Sequence, residues 1–347
     1  LDHPAVLDAY QKCSEKVTRG ERLSAVFVDT LKDERRPYDK VMAGKTRLFS
    51  AGEQIFTVIF RQYFAGFAAH MAKNRVAVES CVGMDVHGTD WTLLVERLTQ
   101  KGVHYVAGDF TNYDGSLHPD LLWSALDVIE DFYDGPWEHS RTRMALWGDI
   151  VNSVHVNGNV IYEWHHGNPS GCPITSILNS VVHSIAARYV FLVVAEQYSP
   201  RQATLLDFDE YIAHVNYGDD DVWNISEEIV PWCNQTTITE GFKSLGMVYT
   251  DEQKGESTLA TRRLHEITFL KRSFRYDVNR SCWVAPLSMD TILEMPSWVN
   301  DKINEYSLAA ITLEEAAEEL ALYDEATFSY YWPRFERLEK YLRNGYV

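Results

Sequence analysis

At 347 residues, with 46% hydrophobic and 24% charged side chains, the chain is long enough for two or three domain-sized units with sizeable cores. A net charge of −18 excludes a general polyanion binder, because phosphate contacts need Lys and Arg, but leaves room for a nucleic-acid enzyme with locally concentrated positive charge. The five cysteines (Cys13, Cys81, Cys172, Cys233, Cys282) are odd in number and lack any C-x-x-C spacing, so neither a disulfide framework nor a disulfide-linked partner is expected.

No basic segment followed by an apolar run opens the chain, so no signal peptide is expected; the start at Leu1 without Met suggests a processed or trimmed product. Residues 1–30 read as a helix then a strand, with Leu23–Val28 as the apolar run. Lys32–Arg47 reads as a charged loop or ribbon, and Gln54–Lys73 has the apolar spacing of a long helix. His104–Phe110 is a short strand, and Leu117–Tyr133 a helix stopped by Gly135-Pro136. Asn157-Gly158 between β-formers predicts a hairpin over Val154–Trp164. A Gly/Pro loop, Gly167–Pro173, leads into a long apolar-faced helix, Ile174–Gln197. Its longest apolar run, Tyr189–Ala195, is too short to cross a bilayer. Ile212–Ile225 reads as strand, acidic turn, strand; Val230–Leu245 as helix; Ile267–Phe274 and Cys282–Pro286 as short strands. From Ser288 the chain reads as mostly helical, over Leu313–Leu322 and Tyr330–Leu342. Helices mixed with antiparallel strands mean α+β.

Four segments carry chemistry. In His214–Asn224 two apolar stretches flank Gly218-Asp219-Asp220, with Asp221 next. Adjacent carboxylates repel, and a tight turn tolerates them where solvent or a metal neutralises them. Alone, the triplet reads equally well as a solvated hairpin tip. In Gly108–Asp114, Asp109 ends a buried strand and Asp114 opens a helical region, where an N-cap is the ordinary role. An Asp at one strand end beside another strand's acidic turn suits magnesium, which takes carboxylate, water and phosphate oxygens. In Gly167–Asn179 a loop enters a helix carrying Thr175 and Asn179 on one face. That is either an ordinary capped helix or a polar face that reads a ribose. In Lys32–Arg47, Lys32, Arg35, Arg36, Lys40, Lys45 and Arg47 outweigh three acids, as a solvated loop or a triphosphate clamp. Gly44-Lys45-Thr46 is not a P-loop tail, because the required glycine falls at Asp39.

In this order the segments resemble the RNA-dependent RNA polymerases of picornavirus-like positive-strand RNA viruses. Lys32–Arg47 is similar to the family's nucleotide-entry motif, Asp109–Asp114 to its first palm motif, and Ser170–Asn179 to the second. Tyr217–Asp220 is similar to its Tyr-Gly-Asp-Asp signature, Gly246–Lys254 to the lysine-bearing motif after it, and Phe269–Phe274 to the primer grip. The wording is nearest the dicistrovirus and iflavirus groups.

The resemblance implies an α+β right-hand fold with an antiparallel-sheet palm, partial fingers and a helical thumb. Fingers would take 1–100 and an insertion at 136–168, palm 101–135 and 169–287, thumb 288–347. It implies nucleotidyl transfer from a nucleoside triphosphate (NTP) to an RNA 3′-hydroxyl, directed by an RNA template, for viral genome replication. Asp109, Asp219, Asp220 and the Phe110 carbonyl would hold two Mg2+ ions, with Mn2+ as substitute, and Lys254 would protonate the leaving pyrophosphate. Asp221 would lie solvated or behind the ligands. Arg47 and Lys40 would hold the triphosphate, with Lys32, Arg36 and Lys45 in the entry channel. Asp114 and Asn179, with Ser170 or Thr175, would bond the ribose hydroxyls, and Lys271 and Arg272 the primer backbone. The partners implied are RNA template and primer, NTPs, a small protein primer and other viral replication proteins, at membrane-associated complexes in host cytoplasm. Two departures stand out: the family has a longer fingers segment than the 31 residues preceding Lys32 here, and Pro173-Ile174 replaces smaller residues of some relatives. A reverse transcriptase-like polymerase and a catalytically silent RNA-binding fragment are the alternatives; Asp114 with Asn179 favours ribonucleotides over the first, and the retained Asp109, Asp219 and Asp220 weigh against the second.

Overall fold

The computed structural model describes residues 3–252, 259–298 and 305–344. Helix α1 (Pro4–Thr18) starts with Pro4 inside its first turn and His3 accepting from the Ala5 amide. Strand β1 (Val26–Leu31), helix α2 (Tyr38–Met42) and strand β2 (Leu48–Gly52) follow; α2 lies within the expected charged loop. Helix α3 (Gln54–Lys73) has the bounds its pattern predicted, and buries Phe56, Ile59, Phe60, Phe64, Phe67 and Met71 along one face. Helix α4 (Asp90–Leu98) is an element the sequence reading missed; it buries Trp91, Leu94, Val95 and Leu98.

Strand β3 (His104–Thr111), the one-turn helix α5 (Tyr113–Ser116) and helix α6 (Pro119–Phe132) come next. Helix α7 (Trp137–Val151) was likewise missed. The predicted hairpin is β4 (Ser153–Asn157) and β5 (Val160–Trp164), its turn carrying Gly158 at φ +57°. Helix α8 (Thr175–Tyr198) runs through the core. Among the described residues it alone is long and apolar enough to pass for a membrane span, yet 67% of its apolar window is buried. The chain continues through α9 (Leu205–Tyr211), β6 (Ile212–Tyr217), β7 (Asp220–Ile225), α10 (Gln235–Ser244) and β8 (Val248–Asp251). Helix α10 starts later than expected because Asn234 accepts from the Thr236 and Thr237 amides and so caps it there.

The strand expected over Ile267–Phe274 is instead a tight turn. Leu270 and Lys271 both have positive φ, and Phe269 and Arg272 exchange backbone hydrogen bonds of 3.0 and 2.9 Å. Strands β9 (Arg275–Asp277) and β10 (Cys282–Val284) form a small ribbon. Helices α11 (Met289–Glu294), α12 (Glu305–Leu320) and α13 (Glu325–Asn344) complete the described chain.

One four-stranded sheet has the order β2-β1-β4-β5, parallel only between β1 and β4. The other, β6-β7-β3-β8, is antiparallel throughout. The largest apolar core joins α3, α6, α7, α8 and α10 to one face of the second sheet. A second core lies under its other face with α4, and a third is confined to α11–α13 and their surroundings.

Candidate active site

The β6–β7 turn is the centre of the site. Its two residues are Gly218 and Asp219; Gly218 sits at φ +66°, a backbone region that a side chain would strain. Helix α8 anchors the turn from below: Ser180 Oγ accepts from the Gly218 amide at 2.9 Å, and His183 Nδ1 lies 2.9 Å from the Gly218 carbonyl. Strand β3 pairs Gly108 with Asp221 of β7, which brings the next residue, Asp109, alongside the acidic turn.

The carboxylates feel one another. Burial, then Asp219, Asp109 and Asp221, push Asp220 up to about 7, against the pull of Lys271. Burial and Asp109 also raise Asp219, opposed by His183 and Arg47. Such a cluster of crowded carboxylates fits hard divalent cations. The Phe110 side chain is buried against Tyr113, His183, Phe242 and Tyr249.

A second polar group adjoins the turn. Asn179 Nδ2 donates to Asp114 Oδ1 at 2.6 Å, while its Oδ1 accepts from Asn168 Nδ2 at 2.9 Å and its carbonyl accepts from Tyr113 OH at 3.0 Å. Burial and Asp219 raise Asp114, while Asn179 and Lys32 oppose the rise. The loop before α8 lies against β2, where a side chain at Gly171 would strike the Ser50 carbonyl. Ser170 Oγ accepts from the Ser50 amide at 3.4 Å. Thr175 Oγ1 donates to the Cys172 carbonyl at 2.8 Å, a bond that stabilises the helix start.

The basic stretch faces this centre. Lys32 and Arg47 are close enough to influence Asp114 and Asp219 electrostatically. Glu34 accepts from Arg47 Nε at 2.8 Å and lies 3.5 Å from Arg36, whose Nη2 donates to the Lys45 carbonyl at 3.1 Å. The Lys45 amide in turn donates to the Lys40 carbonyl at 2.9 Å, closing a compact loop around α2. Lys271 sits at the apex of its tight turn. Arg272 forms a paired ionic contact with Glu319 of α12 at 2.6 and 2.8 Å and donates to the Ala285 carbonyl. Lys254 lies outside the described residues.

Asp221 is not solvated: it is 1% exposed. Its Oδ1 accepts from Tyr249 OH at 2.9 Å and its Oδ2 from Trp223 Nε1, with His183 Nε2 3.2 Å away. Burial opposes its ionisation, yet His183 and His214 hold it well below the usual carboxylate range. Sequence reasoning missed this support. Its visible signals were His183, a helical turn beyond Asn179 on α8, and His214 on the strand before the acidic turn. Asn168, within the quoted loop, was also passed over.

Residues 2–333 match the family model described as viral RNA-dependent RNA polymerase. The chain is 40% identical over 329 residues to the replicase polyprotein of acute bee paralysis virus, covering 93% of this chain and 17% of that protein. It is 38% identical over 327 residues to the replicase polyprotein of cricket paralysis virus, covering 90% and 18%. Identity with the genome polyprotein of deformed wing virus is 31% over 310 residues, covering 87% and 10%. The fold is similar to that of the Sicinivirus 3Dpol RNA dependent RNA polymerase, with a TM-score of 0.79 at 22% identity, over 99% of this chain and 67% of that one. The chain thus spans less than a fifth of each of these three polyproteins.

Proposed function

This chain belongs to the viral RNA-dependent RNA polymerase family, and from that membership we propose that it extends RNA on an RNA template by nucleotidyl transfer from NTPs, in viral genome replication. The observation that carries the proposal is the meeting of Asp109, Asp219 and Asp220, where burial and then the neighbouring carboxylates drive Asp220 up to about 7. The fingers comprise 1–100 and 136–168, the palm 101–135 and 169–287, and the thumb 288–347, in line with the separate apolar core of α11–α13.

Asp109, Asp219 and Asp220, with the Phe110 carbonyl, would hold two magnesium ions, or manganese in their place. When bound, these ions supply Lewis acidity toward the primer hydroxyl and neutralise the phosphates and the leaving pyrophosphate. The chain's own residues do the rest. Arg47 and Lys40 hold the triphosphate, and Lys32, Arg36 and Lys45 line its entry; the pull of Lys32 and Arg47 on the acidic centre supports this. Asn179, fixed by Asn168 and Tyr113, orients Asp114 toward the ribose hydroxyls, with Ser170 and Thr175 shaping the adjoining loop. A site whose donors and acceptors match a 2′-hydroxyl rejects the sugar lacking it. Lys254 protonates the pyrophosphate, and Lys271, with Arg272 behind it, meets the primer backbone. The working partners are RNA template and primer, a small protein primer and other replication proteins, at membrane-associated complexes in the host cytoplasm.

Primer extension on a homopolymeric RNA template with magnesium tests this. The chain is expected to incorporate ribonucleotides in preference to deoxyribonucleotides, and Asp219→Asn to lower the rate by about 100-fold or more. Equal use of both sugars would favour a reverse transcriptase-like enzyme. RNA binding without incorporation, even with the longer fingers segment of the family restored, would sink the catalytic reading.

A further inference from the structure

Behind the acidic turn three elements bring together His183 of α8, His214 of β6 and Asp221 of β7, each no more than 1% exposed. Their candidate ligand atoms all lie within 4.8 Å of one another. His183 Nε2 is 3.2 Å and His214 Nε2 3.7 Å from Asp221 Oδ2. Ligands about 2.0–2.2 Å from a tetrahedral zinc ion stand roughly 3.3–3.6 Å apart, close to these separations.

The ring orientations add an independent argument. His183 Nδ1 faces the Gly218 carbonyl, which can only accept, so that nitrogen carries the proton. In the neutral ring the Nε2 lone pair then points at a carboxylate oxygen that also only accepts. Among the described residues His214 has no hydrogen-bond partner at either nitrogen. Its Nδ1 lies 3.6 Å from Glu79 Oε2 and its Nε2 3.7 Å from Asp221, both too long for hydrogen bonds. In the neutral rings that a metal needs, lone pairs converging in a buried pocket cost free energy unless a cation lies among them. Zinc-bound histidines typically donate from the far ring nitrogen to a carbonyl or carboxylate; His183 does so to Gly218, while His214 Nδ1 faces Glu79 at the longer 3.6 Å. Glu79 is held in turn by Arg188 at 2.7 and 2.9 Å.

We propose that His183, His214 and Asp221 bind one Zn2+ ion, apart from the acidic centre, with water as the fourth ligand. Two imidazoles select a borderline transition metal over magnesium. Asp221 keeps its bonds from Tyr249 and Trp223. The ion ties α8, β6 and β7 together beneath Asp219 and Asp220; its role is to hold the turn in place, and it takes no part in the transfer.

The test uses the whole chain without added histidines, stripped of metal, reloaded with Zn2+ and dialysed. Metal analysis is expected to find one zinc per chain in the wild type and in Asp219→Asn, and almost none in His214→Ala or the bulkier His214→Gln. Circular dichroism reports whether each variant folds. A measurement needing no variant is cobalt substitution, expected to give the intense visible absorption of tetrahedral Co2+. Zinc-free wild type after reloading, a faint six-coordinate cobalt spectrum, or undiminished zinc in a folded His214 variant would each overturn the proposal.

Discussion

Asp220 shows how one side chain's discomfort becomes measurable. Its pKa of about 7 in the metal-free fold lies above the roughly 3.9 of an unfolded aspartate, so the folded state holds an extra proton between those values. Stability contributed by that proton is present at low pH and is lost as pH rises from about 4 through 7. Asp219 and Asp114, also raised, act in the same direction. Metal-free Asp220→Asn is therefore expected to melt above the wild type at pH 8, with the gap closing toward pH 4, where the wild-type carboxyl is also neutral. Added magnesium should narrow the gap at pH 8. A wild type that is the more stable at pH 8 without metal would refute the account. A second substitution probes sugar choice: Asn179→Ala removes the amide that bonds Asp114 at 2.6 Å. A charge-assisted hydrogen bond is worth about 1.5–3 kcal/mol. Selectivity for ribonucleotides in kcat/KM should fall by about tenfold or more, with little change for deoxyribonucleotides. At this scale the acidic turn, Asp114 and Asn179 were legible because their residue types and order are unusual. The burial of Asp221 was not, because an acid beside two acids carries no mark of what packs over it.

Elements became legible where one face repeats. Helix α3 declared itself through its apolar spacing, and the β4–β5 hairpin through Asn157-Gly158. Helix α7 was missed because Gly135-Pro136 reads as a stop, and because the nine buried residues of α7 include Arg143 and Asp149, which blur the pattern. The charges are satisfied across the fold: Arg143 pairs with Glu130 at 2.6 Å, and Asp149 accepts from Arg22 and the Leu23 and Ser24 amides. The first sheet is tied together in a similar way. Asp29 of β1 accepts from Ser50 of β2 at 2.7 Å, from His155 of β4 at 3.0 Å and from Tyr162 of β5, so one carboxylate reaches all four strands. Burial disfavours its charge, yet these donors hold its pKa below the usual range. Asp29→Ala leaves three donors without an acceptor and should cost about 3–5 kcal/mol, read from the urea midpoint at constant m. Asp29→Asn, which keeps the shape, should cost less. Equal effects from both variants would mean that packing and not the hydrogen bonds carries the loss.

Across the whole molecule, the order of segments could be read from the chain, whereas the junctions between its cores could not. Arg272 is the example: its place in a Phe-Leu-Lys-Arg-Ser-Phe stretch pointed to the primer, and nothing nearby announced Glu319, 47 residues away. In the fold Glu319, with its side chain 8% exposed, binds Arg272 and sits 3.1 Å from His87 Nε2. Beside it, Arg275 Nε donates to the Leu322 carbonyl at 2.8 Å and Tyr323 OH to the Leu287 carbonyl at 2.6 Å. These polar contacts fasten the core of α11–α13 to the core under the second sheet, and the ion pair is the buried charge among them. Removing one partner of such a pair typically costs about 3–5 kcal/mol, since the other charge stays buried and unpaired. Glu319→Ala is thus expected to weaken the attachment of the C-terminal helices more than their own packing. Calorimetry should then resolve two transitions in place of one, and limited proteolysis should cut sooner near residues 287–298. Primer extension should fall with them, because Arg272 and the neighbouring Lys271 lose their fixed position. If melting stays a single transition at the wild-type temperature while extension still falls, Glu319 acts on the primer site locally and the junction is held by its apolar contacts.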